Sequence, residues 1–359
     1  MKYRIIIWGT GFVGSAVLKN LIAHPHFEIV GVIVHSPEKE GKDLGELLGL
    51  PRTGIRATRD SAAVLAVEAD AVAYFGPSAI HAETNMENLT RALRSGKNVV
   101  DTSMGVFQNP SRVDPQLRHR IDEACQQGGS SFFSGGVDPG FGNDLFPLTL
   151  LGLAARVDSV HTIEFIDAGT YPDQPSLKAL GLMTSVDQPA LLESPGLMTA
   201  IWGGPLYMMA EALEVEIEDT VERYRRWPAP MSLDFAMGHL EAGEAAAQQI
   251  ELQGIVNGEP RIIVDHIHRV YEDAAPDWPR PQLHVAHANR VTIKGSPNIR
   301  QETVFSDEHS GDGNLGGCLA TGMRVVNAIP AVCKASPGVV STLELPLLAG
   351  PGGMHSLLD

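Results

Sequence analysis

The sequence predicts an α/β chain in two parts, a doubly wound parallel sheet followed by a second, α+β domain. Three observations carry this. Over the first 135 residues, apolar strands alternate with amphipathic helices, the pattern of a parallel sheet covered on both faces. A G-x-G-x-x-G run follows the first strand directly and opens a helix. After Gly135 the alternation stops, and strands follow one another with helices set apart, as in an α+β domain. At 359 residues the chain is long for one compact domain and comfortable for two.

Taken in order, Tyr3–Trp8 reads as a strand and Gly11–His24 as a helix, with Val13, Val17 and Leu21 at helical spacing. Phe27–Val34 is a second, nearly continuous apolar strand, and Ile55–Ala57 a short extended piece. Ser61–Val67 is helical, and Asp70–Phe75 is a buried strand stopped by Gly76-Pro77. Asn85–Ser95 is helical, Asn98–Thr102 a strand, Pro115–Gln127 a helix and Ser130–Ser134 a strand. Right-handed crossovers between such strands make a doubly wound sheet. In the second part a helix is expected near Phe141–Leu153, with further helices near Pro175–Met183 and Gly196–Val215. Strands are expected at Ser159–Asp167, Ala247–Val256, Arg261–Val270, Ala288–Lys294 and Ile299–Phe305, in antiparallel sequence. Asn257-Gly258 is the preferred two-residue turn of a hairpin between the second and third of these. Leu319, Met323 and Val326 keep helical spacing in a run of small apolar residues, so a buried helix is expected there. The tail beyond it is Gly/Pro-rich and reads as extended. The expected domains are 1–137, 138–312 and 313–359.

Composition narrows the class. Hydrophobic residues make up 43% and charged residues 19%, which supports a sizeable core. The formal net charge of -16, from 27 basic and 43 acidic residues, disfavours nucleic acid, whose phosphates need a clustered basic face. Cys125, Cys318 and Cys333 are widely spaced and form no C-x-x-C pair, which fits a reducing cytoplasm and neither a disulfide framework nor a zinc site. No apolar stretch is read as reaching the roughly 20 residues that span a bilayer, so no membrane partner is expected.

The glycine run is Gly9-Thr10-Gly11-Phe12-Val13-Gly14. Gly9 makes a tight turn, Gly11 leaves room for a pyrophosphate, and Gly14 lets the helix press on the strand. A pyrophosphate then meets the free N–H groups and positive end of the helix. This is the dinucleotide loop of the Rossmann fold. At the tip of the second strand, where NAD binders usually place an acid for the ribose hydroxyl, stands Val34-His35-Ser36-Pro37. With no carboxylate there, and with Ser36 and Lys39 available for a phosphate, NADP(H) is expected to be preferred over NAD(H), although Glu38 and Glu40 act in the opposite sense. Ligands of open parallel sheets lie beyond the carboxyl ends of the strands, which adds Gly76, Pro77, Ser78, Thr102 and Ser103 as cofactor contacts or turn caps.

Four stretches together resemble one family: WGTGFVG, GVIVHSPEKEGKDLGEL, GGVDPGFGNDLFPL and GMRVVNAIPAV. It is the group built on the dihydrodipicolinate reductase N-terminal fold that includes diaminopentanoate dehydrogenases and native amine dehydrogenases, and the resemblance covers nearly the whole chain. It implies a C-terminal helix that returns to complete the Rossmann domain, a central substrate domain and a homodimer. It also implies reversible oxidative deamination, in which amine and NAD(P)+ give ketone, ammonia and NAD(P)H. The paired histidine-and-lysine run of the reductases proper is absent, and His266-Ile267-His268-Arg269 does not match it. One departure stands out. Similar amine dehydrogenases carry a catalytic Glu just after the fifth strand, and here that place falls at Met104-Gly105, with no acid between Asp101 and Asp114. Methionine cannot transfer a proton.

Another proton carrier is therefore sought. Asp138, after the sixth strand, is one candidate, against a role as a turn cap before Pro139. Glu164, on a strand of the second domain, and Tyr171, just beyond it, are others, against a solvated sheet face. His266 and His268 share a strand face, but spacing supplies no third ligand, so a structural or surface role is expected and no metal. Asn143 and Asn327 are amides in motifs expected to reach the nicotinamide, or helix caps. The reading is an NAD(P)H-dependent oxidoreductase acting on the C=N or C=O carbon of a small, mostly apolar substrate, with ammonia as a candidate partner. Its alternatives are a carbonyl reductase that does not use ammonia and a cofactor-binding regulator.

Overall fold

The computed structural model describes residues 2–77, 81–283 and 285–354. The chain divides into two compact units, Met1–Gly136 with Cys318–Asp359, and Val137–Gly317. The first unit is the doubly wound sheet. Its strands are β1 (Tyr3–Trp8), β2 (Phe27–Ile33), β3 (Ala57–Thr58), β4 (Ala71–Tyr74), β5 (Asn98–Asp101) and β6 (Ser131–Ser134), joined by Gly338–Val339, the last strand of the chain (β15). They lie in the order β15-β6-β5-β4-β1-β2-β3, and every pair is parallel. Strands buried on both faces explain the continuous apolar runs: Ile5, Ile6 and Ile7 are all fully buried. One core layer packs Ile5, Ile7, Val17 and Leu21 with Val325, Ile329 and Val332, and the other packs Ile6, Val72 and Val99 with Leu89, Ile121 and Phe132.

The C-terminal helix Gly313–Val326 and the short helix Ile329–Val332 supply the residues of that first layer. Glycine at 322 is required by the packing, because a Cβ there would lie 2.2 Å from Val17 Cγ2. One expectation is corrected here. The helical run Gly313–Val332 has 20 residues and a mean hydropathy of 1.3, so by length and composition it passes the test for a bilayer span. Val325, Val326, Ala328, Ile329 and Val332 are all fully buried in the sheet unit's core.

The second unit holds a six-stranded mixed sheet made of β7 (Arg156–Asp167), β8 (Asp219–Pro228), β11 (Ala245–Val256), β12 (Glu259–Arg269), β13 (Ala288–Ser296) and β14 (Ile299–Thr303). A small hairpin, β9 (Leu233–Phe235) and β10 (Gly238–Leu240), stands apart. The order is β14-β13-β7-β12-β11-β8. The β11–β12 hairpin turns at Asn257-Gly258 with φ of 53° and 74°, as the dipeptide requires. Strands of this sheet do not all run antiparallel as their succession suggested. β7 and β12 are parallel, because a long connection with its own helices and strands separates them. β8 escaped prediction because it is an edge strand carrying Glu222, Arg223, Arg225 and Arg226, without the apolar run that marks a buried strand. The helix expected near Phe141–Leu153 is confined to Leu145–Leu151, N-capped by Asp144, after a loop in which Asp138, Pro139 and Gly140 are out of helical geometry. One face of the sheet is covered by the helix Leu197–Ala212, whose Trp202, Leu206 and Met209 pack on Ile250, Leu252, Ile262 and Val264.

Candidate active site

In the first unit the site is a glycine cradle. Gly9 has φ of 108°, and a Cβ on it would lie 2.2 Å from the Phe75 carbonyl oxygen. A Cβ on Gly14 would lie 2.1 Å from the Gly9 carbonyl oxygen, whereas one on Gly11 would meet nothing within 4 Å. Two glycines are thus demanded by the fold, and the third faces open space at the N-cap of the helix Phe12–Leu21. This is the arrangement that admits a pyrophosphate. Thr10 is buried, Phe12 is exposed, and Val13 packs on the core. Lys39 reaches over the loop, its Nζ donating to Thr10 O at 2.7 Å and to Thr10 Oγ1 at 3.2 Å. At the tip of β2, His35 is exposed and half-buried Ser36 precedes a single helical turn. The Glu38 carboxyl is held below its ordinary value, first by its own backbone N–H and then by the Ser36 hydroxyl. Glu40 is engaged elsewhere, accepting from Thr58 Oγ1 at 3.0 Å and from Arg59 N.

The turns after β4 and β5 are built tightly. A Cβ on Gly76 would strike the Tyr74 ring at 2.2 Å. Pro77 O accepts from Asn85 Nδ2 at 2.9 Å, and Ser78 lies outside the described residues. Thr102 N donates to Tyr74 O. Fully buried Asp101 accepts from Ser103 N and Ser103 Oγ on one oxygen, and from Met104 N and Ser134 Oγ on the other. Ser103 is therefore a turn cap. Met104 is a core residue, 4% exposed and packed with Trp8, Tyr74 and Phe107. Asn327, beyond the C-terminal helix, has its Oδ1 buried without a hydrogen-bond partner among the described residues.

The second unit gathers its polar chemistry on the sheet face beneath the helix Leu197–Ala212. Strand register builds it. Ile250, His266, Glu164 and Asn289 are direct neighbours across β11, β12, β7 and β13, and Gln248, His268 and Ile166 form the next row. Asp138 joins them from the loop after β6. It precedes a cis proline, and its Oδ1 lies 2.8 Å from His266 Nε2. Asn143 Nδ2 donates to Asp138 Oδ2 at 2.9 Å, while Asn143 Oδ1 accepts from Gly140 N at 2.9 Å. The amide at 143 is thus a brace for Asp138. One oxygen of Asp138, one of Glu164 and a ring nitrogen of His266 all lie within 4.8 Å of one another. Trp202 covers His266, with ring centroids 4.9 Å apart.

The electrostatics follow from burial. Glu164 is 8% exposed, and desolvation, with the Asp138 charge added, pushes its carboxyl well above the usual range. Burial works against a charged His266, but Asp138 facing it, with Asp265 nearby, outweighs this and holds the imidazole above its ordinary value. His268 is pushed down to about 3 by burial and by His266 and His287. The cluster therefore sets a carboxyl that holds its proton unusually tightly, Glu164, beside an imidazole raised by the facing Asp138 and a second imidazole that stays neutral. Separated affinities of this kind permit acid and base roles side by side.

Burial narrows two readings: Glu164 does not lie on the solvated face that was its alternative, and of the structural or surface role expected for His266 and His268, at 1% and 4% exposure, the surface half falls away. The partners missing from the spacing argument came from Asp138 and Glu164, remote in sequence. The only hint was shared parity, since Glu164, His266 and His268 each stand among apolar strand neighbours. These atom types are also those that hold a divalent cation, as are those of His161, Glu251 and Asp265. Tyr171 packs in a different apolar cluster with Ala168, Leu177 and Trp227. Beyond Glu164 on the same strand, Ile166 and Asp167 begin a cavity of about 450 Å3 lined also by Thr170, Arg269, Tyr271 and Arg280.

A dinucleotide cradle on a doubly wound sheet, in a chain with this second unit, belongs to the nicotinamide-dependent oxidoreductases, and this protein is an NAD(P)-dependent enzyme of that class. Residues 3–127 match the family described as dihydrodipicolinate reductase, N-terminus, and residues 201–355 match the 2,4-diaminopentanoate dehydrogenase C-terminal domain. The chain is 37% identical over 345 residues to an amine dehydrogenase of Streptomyces virginiae, covering 95% of this chain and 96% of that one. The chain belongs to the amine dehydrogenase family. It is also 24% identical to a 2,4-diaminopentanoate dehydrogenase of Acetoanaerobium sticklandii, covering 96% and 94% of the two chains. The solved amine dehydrogenase of Mycobacterium smegmatis shares the fold, with a TM-score of 0.77, 22% identity and 97% of both chains covered.

Proposed function

We propose that this enzyme moves hydride between NADP(H) and the C=N or C=O carbon of a small amine or ketone, with ammonia as co-substrate in the reductive direction. The proton work is assigned to Asp138, His266 and Glu164. The observation that carries this reading is the buried 2.8 Å Asp138–His266 bond with Glu164 beside it. The overall reaction consumes ketone, ammonia, one proton and NAD(P)H, and yields amine, water and NAD(P)+. Somewhere a proton must be held and delivered, and Met104, buried in the core, has none to give. His266, paired with a carboxylate and screened from solvent by Trp202, can deliver one and recover it. Glu164, whose carboxyl holds its proton well above the usual range, can donate a hydrogen bond to a developing charge when protonated. The names of the two relatives support a small substrate carrying nitrogen, and the cavity of about 450 Å3 that begins at Ile166, although lined by none of Asp138, Glu164 and His266, has room for a molecule of that size.

The glycine cradle fits a dinucleotide, and Gly9, Gly11, Gly14 and Lys39 would hold it. When bound, the nicotinamide supplies or accepts the hydride. The NADP(H) preference is supported by the absence of an acid at positions 34–37 and by Lys39 lying over the loop. Glu38, with Ser36 engaged to it, is the feature that opposes it.

The test is a panel of ketones and aldehydes with NADPH, with and without ammonium, together with dissociation constants for NADPH and NADH. Ammonia-dependent turnover is expected. Turnover indifferent to ammonia would make the enzyme a carbonyl reductase, and cofactor binding with a silent panel would overturn small ketones and amines as its substrate class. Tighter binding of NADH than of NADPH would overturn the cofactor preference.

A further inference from the structure

His287 immediately precedes β13 and stands two residues before Asn289, so its side chain shares the sheet face of Asn289 and Glu164. It is 6% exposed. Its Nδ1 lies 3.3 Å from Asn314 Oδ1. The Asn314 amide cannot be turned round, because its Nδ2 donates to the Asp167 carbonyl oxygen at 2.7 Å and to Thr170 Oγ1 at 2.8 Å. A carbonyl oxygen only accepts. Asn314 Oδ1 is therefore an acceptor, and His287 Nδ1 carries the proton. Burial lowers the affinity of the ring for a second proton, with the Asn314 bond offsetting part of this, so the neutral ring leaves a bare lone pair on Nε2.

That lone pair has no hydrogen-bond partner among the described residues. Buried acceptors are nearly always satisfied, so an unsatisfied one calls for a ligand. Gly317 packs closely on the ring, where a Cβ would lie 3.0 Å from Cε1. The donor that completes it must bring an N–H or an O–H. The Asp138 charge acts on the ring, and Asn289 Nδ2 and His268 Nε2 are buried without partners as well, both of them donors, because Gln248 Nε2 gives its hydrogen to His268 Nδ1. A nitrogen with two or three N–H groups can give one to His287 Nε2 and another to a carboxylate oxygen. An alcohol has one O–H, and a ketone none.

We infer that His287 Nε2 accepts an N–H of the substrate nitrogen, from ammonia or a primary amine. Asn314 would then be a positioning residue that fixes the tautomer. The inference rests on the dehydrogenase reading above and adds to it the atom that selects nitrogen over oxygen.

Two substitutions separate the ring's two nitrogens. His287→Asn keeps a donor near the Nδ1 position and removes the Nε2 acceptor, whereas His287→Gln returns an amide oxygen near Nε2. In the full enzyme with NADPH, ammonium chloride and a ketone it reduces, H287N is expected to raise the KM for ammonium at least tenfold. The KM for NADPH and the Tm should stay put, and H287Q should recover part of the loss. An unchanged ammonium KM in H287N, or an equal loss in ammonia-independent ketone reduction, would overturn the inference while leaving the dehydrogenase reading intact. A second measurement needs no turnover. Nitrogen NMR of 15N-histidine-labelled protein should show one ring protonated at Nδ1, missing in H287N, whose Nε2 signal moves when methylamine is added. Such a ring with an Nε2 signal indifferent to methylamine sinks the proposal. A responsive ring with a silent substrate panel supports it and sinks the dehydrogenase reading instead.

Discussion

Asp138 is held on both of its oxygens, by His266 Nε2 on one side and by Asn143 Nδ2 on the other. Asp138→Asn keeps the shape and removes the charge that sustains the imidazolium. Turnover should fall by roughly 10²- to 10⁴-fold, the usual worth of a placed proton carrier, with the NADPH dissociation constant unchanged in a fluorescence titration. Near-normal turnover would remove Asp138 from the chemistry. Glu164 gives a second prediction, about stability. Its folded affinity for protons is raised, so above the ordinary carboxyl range the native state binds more protons than the unfolded chain. Stability is then lost as pH rises from that range through the raised value, by up to about 1.4 kcal/mol per pH unit. His266 is also raised, and its contribution likewise fades as pH rises through its own folded value. Glu164→Gln should therefore gain on the wild type between acid and neutral pH in urea titrations, with little difference at the acid end. A constant difference across that range would show that Glu164 titrates like an exposed carboxyl.

Among the elements, the strand–loop–helix at the N-terminus was legible from sequence because everything it needs lies within Tyr3–Leu21. The acid–base cluster was not. Glu164 and His266 touch only because β7 and β12 pair in parallel at one particular register, and Asp138 reaches them from a loop on neither strand. Local pattern shows which face of a strand a residue takes, but not which residue stands opposite. Sequence named Asp138 and Glu164 singly and gave His266 only a structural or surface role, because its importance comes from its partners. The glycine cradle offers an element-scale contrast. Gly14→Ala drives a Cβ into the Gly9 carbonyl and should destabilise the fold by about 1–3 kcal/mol or more. Gly11→Ala has open space and should leave Tm essentially unchanged while weakening NADPH at least tenfold in titration calorimetry. Equal NADPH affinity in Gly11→Ala would mean that no pyrophosphate passes there.

For the molecule as a whole, the first unit is discontinuous in sequence. Val325, Val326, Ile329 and Val332, all fully buried in its core, arrive only after the second unit has been traversed. Each contributes about 1.5–3 kcal/mol, and together they rival the entire stability of an ordinary domain. A fragment ending at Gly136 should therefore show no cooperative thermal transition by circular dichroism, and a sharp transition would show the core to be self-sufficient without them. The same return of the chain bears on the order of events on the ribosome. At about 5–20 residues per second, the stretch Val137–Gly317 holds the N-terminal strands waiting for on the order of ten seconds or more. The middle of the polypeptide can settle while the beginning still lacks its partner helices. The nucleotide cradle, among the earliest stretches of these residues to be made, is then among the last to be finished.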